Sequence, residues 1–126
     1  MKPFFISCAI LVSLFTAGII NYATISELSD TIIDELAISE AAAKSENWDE
    51  AANALLRADK AWDAHNTYLH IVTNHDELDE AEVLFSALLQ HAMQHEPLHY
   101  YPEMAQLRAH LKHLKDAQQL SIHNIL

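Results

Sequence analysis

Histidine is the residue type in this sequence with the most distinctive chemistry. All nine histidines fall between His65 and His123, and the stretch HAMQHEPLHYYPE (91–103) carries three of them at intervals of four, a spacing that stacks side chains on one helical face. Imidazole binds zinc and other transition metals, and pairs one turn apart form a familiar half-site. The candidate metal ligands are His91, His95, His110 and His113.

Two prolines argue against a three-histidine site within this stretch. Pro97 and Pro102 disrupt the helix that would carry His99 onto the face of His91 and His95. The letters EPLH (96–99) match a Glu-x-x-His spacing, but the internal proline spoils the inward-facing geometry of a di-iron bundle. A metal site would therefore need His110 or His113 as well, and we expect no cofactor.

Two other interpretations of the histidines stay open. Histidine titrates near pH ~6.5, and His65 and His95 fall on apolar stripes where burial would favour the neutral ring, so the domain could sense pH. Alternatively, the rings are ordinary boundary residues with an apolar body and a polar tip, which fits His70, His99 and His123 best.

The sequence contains only part of what a catalytic site would need. His75, Asp76 and Glu77 could supply a base and its orienting acid, but no nucleophile motif, glycine-rich phosphate loop or zincin signature accompanies them. We therefore expect no enzyme activity. The more economical hypothesis is that His75 and Glu77 fix the start of a helix, through a hydrogen bond to His113 or to the tail at Asn124.

The composition predicts an all-α protein. Glycine occurs once and proline three times, so the turn chemistry of hairpins is nearly absent, whereas alanine, leucine and acidic residues dominate. Eighteen acidic residues against seven basic ones give a net charge of −11. Nucleic-acid binding, which needs clustered lysine and arginine, is close to excluded, and the folded part is not expected to dock on anionic lipid.

The N-terminal segment is a candidate transmembrane helix. No charged residue occurs from Pro3 to Ser26, and about twenty residues span a hydrocarbon core of ~30 Å. We predict an anchor over residues 1–25. The alternative is a cleaved signal peptide with its small-residue site at residues 16–18. Lys2 before the span and acidic residues after it predict a single pass through the cytoplasmic membrane with the C-terminal domain outside.

Small residues recur on one face of this segment. Ala9, Ser13 and Ala17 lie four residues apart, and Asn21 continues the same face. Small side chains let two membrane helices approach closely, and Asn21 could hydrogen-bond across the pair. This face predicts contact with an integral membrane protein, or with a second copy of the chain.

Four apolar stripes with helical spacing predict a bundle of two antiparallel helical hairpins over residues 26–126. The first helix continues from the membrane span. Asn47 caps the second, Asn74 or Asp76 caps the third, Pro97 ends the third, and Pro102 lies in the first turn of the fourth. The stripes are Ile25, Leu28, Ile32 and Leu36; Ala51, Leu55, Ala58, Trp62, His65, Leu69 and Val72; Leu78, Ala81, Phe85, Leu88, Ala92 and His95; and Met104, Leu107, Leu111 and Leu114.

Several short motifs resemble one bacterial family. NWDEA (47–51), a second tryptophan, NHDELD (74–79), LKHL (111–114) and the terminal NIL are similar to motifs of the domain of unknown function 4363 family, whose members are short, membrane-anchored helical proteins. The sequence departs from that pattern at Asn74, Gln118 and Leu126. The resemblance picks out as structural or interaction residues Trp48, Trp62, His75, Glu77, His113, Asn124 and Ile125.

The family has no assigned activity, so the resemblance implies location and fold. Together with the residues, it leads us to expect a non-catalytic interaction protein or accessory subunit of a membrane protein complex. The alternative is a histidine-rich module that senses pH or binds metal.

Overall fold

The computed structural model describes the backbone of residues 1–125 and the side chains of residues 1–120. Within that part the chain forms five helices, α1 (Lys2–Lys44), α2 (Trp48–Ala64), α3 (Asn66–Val72), α4 (His75–Met93) and α5 (Pro97–Ile125). Helix α1 contacts α2 and α5, and α4 contacts the same two helices, so the four long helices form a ring of antiparallel neighbours. The predicted all-α bundle is confirmed.

Helix α1 belongs partly to the bundle and partly to an exposed extension. Its 43 residues span ~65 Å. Pro3 lies in the first turn, where its missing N–H costs no hydrogen bond, and no later proline interrupts the helix. Burial begins only at Ile25 and continues along one stripe to Ala43. The apolar segment and the first bundle helix are therefore one continuous helix.

The apolar stripes read from the sequence supply the core, but not their histidines: His65 is only partly buried, and His95, which was expected on a buried stripe, is exposed. Trp62 is buried between the helices, and its ring contacts that of Phe85 at a centroid distance of 5.8 Å. Two predicted N-caps are also observed. The side chain of Asn47 accepts from the Glu50 N–H at the start of α2, and that of Asn74 accepts from the Asp76 N–H at the start of α4.

Two helix boundaries differ from the expected ones. The predicted second helix breaks at His65, whose N–H donates to Trp62 in a tightened last turn, and α3 then follows with Leu69 still buried. The last helix begins at Pro97, about one turn before the predicted start. The carboxylate of Glu96 accepts from the backbone N–H groups of Leu98 and His99 and so caps this earlier turn.

One buried polar pair joins three helices. The Ser39 hydroxyl on α1 donates to the Ala51 carbonyl on α2 at 2.8 Å, which leaves its oxygen to accept from the Tyr100 hydroxyl on α5 at 2.7 Å. Both side chains are fully buried. Burial raises the pKa of Tyr100 to about 12, because the ionised phenol is poorly solvated there.

Replacing Tyr100 by phenylalanine tests this pair. At neutral pH we expect Tyr100→Phe to lower the free energy of unfolding by about 1 kcal/mol, the net value of a buried hydrogen bond. Below the ordinary tyrosine pKa of 10.0 the wild-type advantage is fully present. It is lost as the pH rises towards about 12, because the unfolded tyrosine ionises first.

Urea unfolding of the full chain in detergent at neutral pH and near pH ~11 measures this difference. Tyr101→Phe is the matched control, since it removes the same atom from a partly exposed ring and should change stability by less than about 0.5 kcal/mol. A gap between wild type and Tyr100→Phe that does not narrow at high pH would contradict the assignment.

Candidate functional site

Histidine and glutamate side chains meet at the end of the bundle farthest from the apolar half of α1. We call His91, Glu96, His99 and Glu103 the distal histidine cluster. The Nδ1 atom of His91 lies 2.7 Å from a Glu103 carboxylate oxygen, and Nδ1 of His99 lies 2.8 Å from one of Glu96. The two imidazole rings stack at a centroid distance of 5.2 Å. Ligand atoms of His91, Glu96 and His99 all lie within 4.8 Å of one another.

The turn between α4 and α5 creates this arrangement. His95 N–H donates to the Ala92 carbonyl and Glu96 N–H to the His91 carbonyl, the hydrogen-bond pair of a Schellman motif. This motif requires a left-handed residue, and His95 occupies that position with φ 56°. The chain therefore reverses within a few residues and places the start of α5 beside the last turn of α4.

His95 itself is turned away from the cluster. Its ring stacks on the indole of Trp48 at 6.1 Å with an interplanar angle of 10°. The expectation that His91 and His95 share a helix is wrong, because α4 ends at Met93. The proline-bounded turn instead brings His91 close to His99, the histidine that the two prolines were expected to keep away from His91.

Glu96 is held by several hydrogen bonds. One carboxylate oxygen accepts from the Leu98 N–H at 3.0 Å, and the other accepts from the His99 N–H at 3.2 Å as well as from its ring. Desolvation opposes ionisation of this group, but the His99 and Leu98 hydrogen bonds outweigh it, so the pKa of Glu96 lies below its ordinary value. The hydrogen bonds around Glu96 thus favour the ionised form of its carboxylate.

The other two predicted ligands lie near the opposite end of α4. His110 Nε2 donates to the Glu77 carbonyl at 2.7 Å, and His113 Nε2 lies 3.7 Å from the Glu77 carboxylate. Glu77 and His91 are fourteen residues apart on the same helix, which corresponds to ~21 Å. The structure therefore does not bring His91, His95, His110 and His113 together as one set.

The residues selected by the family resemblance are spread over the bundle. Trp48 is partly buried beside Tyr100, with ring centroids 5.3 Å apart, and Trp62 is a core residue. His75 is exposed, and its Nδ1 lies 3.0 Å from that of His70. Asn124 and Ile125 lie in the last turns of α5, and their side chains are outside the described residues.

A set of polar contacts lies at the end of the bundle next to the apolar segment. The amide of Asn21 donates to the Gln118 side chain, and its oxygen accepts from the Tyr68 hydroxyl. The side chain of Asn21 is therefore already hydrogen-bonded within the chain, whereas Ala9, Ser13 and Ala17 are exposed on α1.

Sequence reasoning missed Glu103, and it treated His99 as a boundary residue. Periodicity within a single helix cannot reveal their pairing, because His91 and Glu103 belong to different helices. The short connection after α4 gave a signal for His99 alone, because His91 and His99 are each four residues from His95 and so lie on either side of the turn, whereas Glu103 is eight residues from it.

The fold defines a class of protein, an all-helical bundle whose first helix extends into a long exposed apolar segment. A family model described as "Domain of unknown function (DUF4363)" matches residues 19–125. The chain belongs to this family, as the motifs predict. No curated protein and no solved structure matches the chain significantly.

A comparison of two left-handed residues tests the role of the His95 ring. Glu46 occupies the same position after α1, with φ 61° and the same pair of capping bonds. Glycine removes the left-handed penalty of roughly 1–2 kcal/mol, partly offset by its greater entropy when unfolded. We expect Glu46→Gly to raise the free energy of unfolding by about 1 kcal/mol. For His95→Gly we expect an increase in the free energy of unfolding that is about 0.5–1 kcal/mol smaller, because this variant also loses the stack on Trp48.

Urea unfolding of both variants in detergent measures the two gains, and Glu46→Ala, which keeps a β-carbon, controls for the lost charge. Equal gains for the two glycine variants would show that the stack on Trp48 contributes nothing.

Proposed function

We propose that the protein is a single-pass membrane protein that acts without catalysis, through protein contacts, as an accessory subunit of a membrane protein complex. The observation that carries this proposal is the apolar half of α1. Its large side chains are exposed, and none of the most apolar window of 18 residues is buried. Water-exposed apolar surface of this extent marks a membrane or protein contact.

Flanking charge sets the proposed orientation. Lys2 precedes the apolar segment, and Glu27, Asp30 and Asp34 follow it. The positive-inside tendency then keeps the N-terminus in the cytoplasm and places the bundle outside. Because α1 is continuous, the bundle would stand directly above the membrane surface.

The proposed contact face within the bilayer consists of Ala9, Ser13 and Ala17. These exposed small residues would let a membrane helix of the partner approach the α1 backbone closely. Asn21 is less available for this contact than the sequence suggested, because Tyr68 and Gln118 already satisfy its amide. The partner would be an integral membrane protein, with a second copy of the chain as the other possibility.

A second candidate function is a histidine-rich module that binds metal or senses pH. The observation favouring it is the convergence of His91, Glu96 and His99 at the distal end. It does not conflict with the first, because the cluster and the apolar segment lie at opposite ends of the molecule.

Membrane fractionation tests the anchor. The full chain should sediment with membranes and stay there after washes with high salt and alkaline carbonate, because burial of the apolar segment is insensitive to ionic strength. Detergent should release it. Recovery of the protein in the soluble fraction after membrane separation would contradict the proposal.

Leucine substitutions test the contact face. Replacing Ala9, Ser13 and Ala17 together by leucine should reduce co-purification of the partner from membranes by about tenfold, equivalent to ~1.4 kcal/mol, since the added side chains separate the two helices. Leucine at Ser7, Cys8 and Gly18 is the matched control, because helical periodicity places these small residues on the other side of α1. If every membrane complex survives the first triple substitution, this face is not the contact.

A further inference from the structure

We propose that the distal histidine cluster is a binding site for a divalent transition-metal ion of the zinc class. His91, His99 and Glu96 would be the ligands, and Glu103 would orient His91. This inference gives the second candidate function a specific site and ligand, and it does not depend on the membrane anchor or its contact face.

The spacing of the donor atoms fits such an ion after a small adjustment. Zinc binds imidazole nitrogen and carboxylate oxygen at ~2.1 Å, which places tetrahedral ligands ~3.4 Å from one another. The three donor atoms here already lie within 4.8 Å of each other. The His99 side chain is 62% exposed, so its ring can turn out of the stack on His91 and close the remaining gap of up to ~1.4 Å without repacking the core.

One carboxylate orients an imidazole, and the other would share the ion with one. A metal-bound histidine usually donates its second ring N–H to a carboxylate, and Glu103 holds Nδ1 of His91 in this way at 2.7 Å, leaving Nε2 for the ion. At His99 the ion would replace the hydrogen between Nδ1 and the Glu96 oxygen, with the ring hydrogen carried on Nε2 instead. Three protein ligands then leave one tetrahedral position for water or for a group from a partner.

The donor set selects the class of ion. Calcium and magnesium bind oxygen almost exclusively, whereas two imidazoles with one carboxylate suit zinc and its neighbours in the transition series. Among residues 1–120, this is the only group of three such side chains whose ligand atoms approach one another so closely. The His70–His75 pair has ring nitrogens 3.0 Å apart but lacks a third ligand, which makes it a matched control.

Calorimetric titration of the metal-free full chain in detergent with zinc chloride tests the site. We expect one zinc per chain, with no binding of magnesium or calcium at the same concentration. His99→Gln and Glu96→Gln should each weaken zinc binding at least tenfold, and Glu103→Gln by about tenfold, because ligands and their orienting partners both contribute. His75→Gln should leave the affinity unchanged.

Cobalt(II) supplies a readout of coordination itself. The wild type and His75→Gln should show the visible bands of a tetrahedral cobalt site, and His99→Gln should lose them. Far-UV circular dichroism establishes that each variant remains folded, and His99 is exposed enough for its replacement to leave the core intact.

Two results would overturn the proposal. One is the absence of zinc binding by the folded wild type. The other is binding of several ions whose number falls equally with His75→Gln and His99→Gln, the behaviour of scattered surface histidines. Membrane retention and partner recovery of His99→Gln should equal those of the wild type, so failure of the metal site is distinguishable from failure of the anchor.

Discussion

The structure depends on α1 remaining one helix from Lys2 to Lys44. A break near residue 20 would separate the apolar segment from the bundle, but proline is absent after Pro3 in this helix and Gly18 is its only glycine. The orientation of the bundle is therefore set by the orientation of the apolar segment. From Ile25, where burial begins, to the end of α1 is ~29 Å, so the distal histidine cluster stands about one bundle length above the apolar segment.

Three of the seven lysine and arginine residues of this acidic chain join other helices to α1. Arg57 on α2 donates to Glu35, and from α5 Arg108 donates to Glu40 and Lys115 to Asp30. The Arg108 hydrogen bond, opposed by desolvation, holds the pKa of Glu40 below its ordinary value. Such partly exposed pairs each contribute little stability. Their main consequence is register, since Glu35, Glu40 and the buried Ser39 all lie on the part of α1 that the other helices cover.

Patterns within one helix could be predicted from the sequence, and patterns between helices could not. The apolar stripes and the Asn47 and Asn74 caps depend on local spacing, which the structure confirms. The break at His65 escaped prediction because the stripe keeps its period across the tightened turn. The reversal after the third helix was expected at Pro97, but its exact position at His95 escaped prediction because a left-handed C-cap is usually glycine, and this sequence has none there. That single turn decides which histidine pairs with His91, so the composition of the site could not follow from spacing alone.

The position of the cluster also limits what a bound ion could do. His91 lies in the last turns of α4 and His99 in the first turns of α5, so an ion held by both would bridge the two helices across the left-handed turn at His95. The same turn is packed against Trp48, which begins α2, and Trp48 contacts the buried Tyr100 that bonds Ser39 on α1. A proposed ion at this point would therefore tighten the end where all four long helices meet. Its influence on the apolar segment would have to pass along α1 or along α5, whose last turns continue past the contact between Gln118 and Asn21 to Ile125.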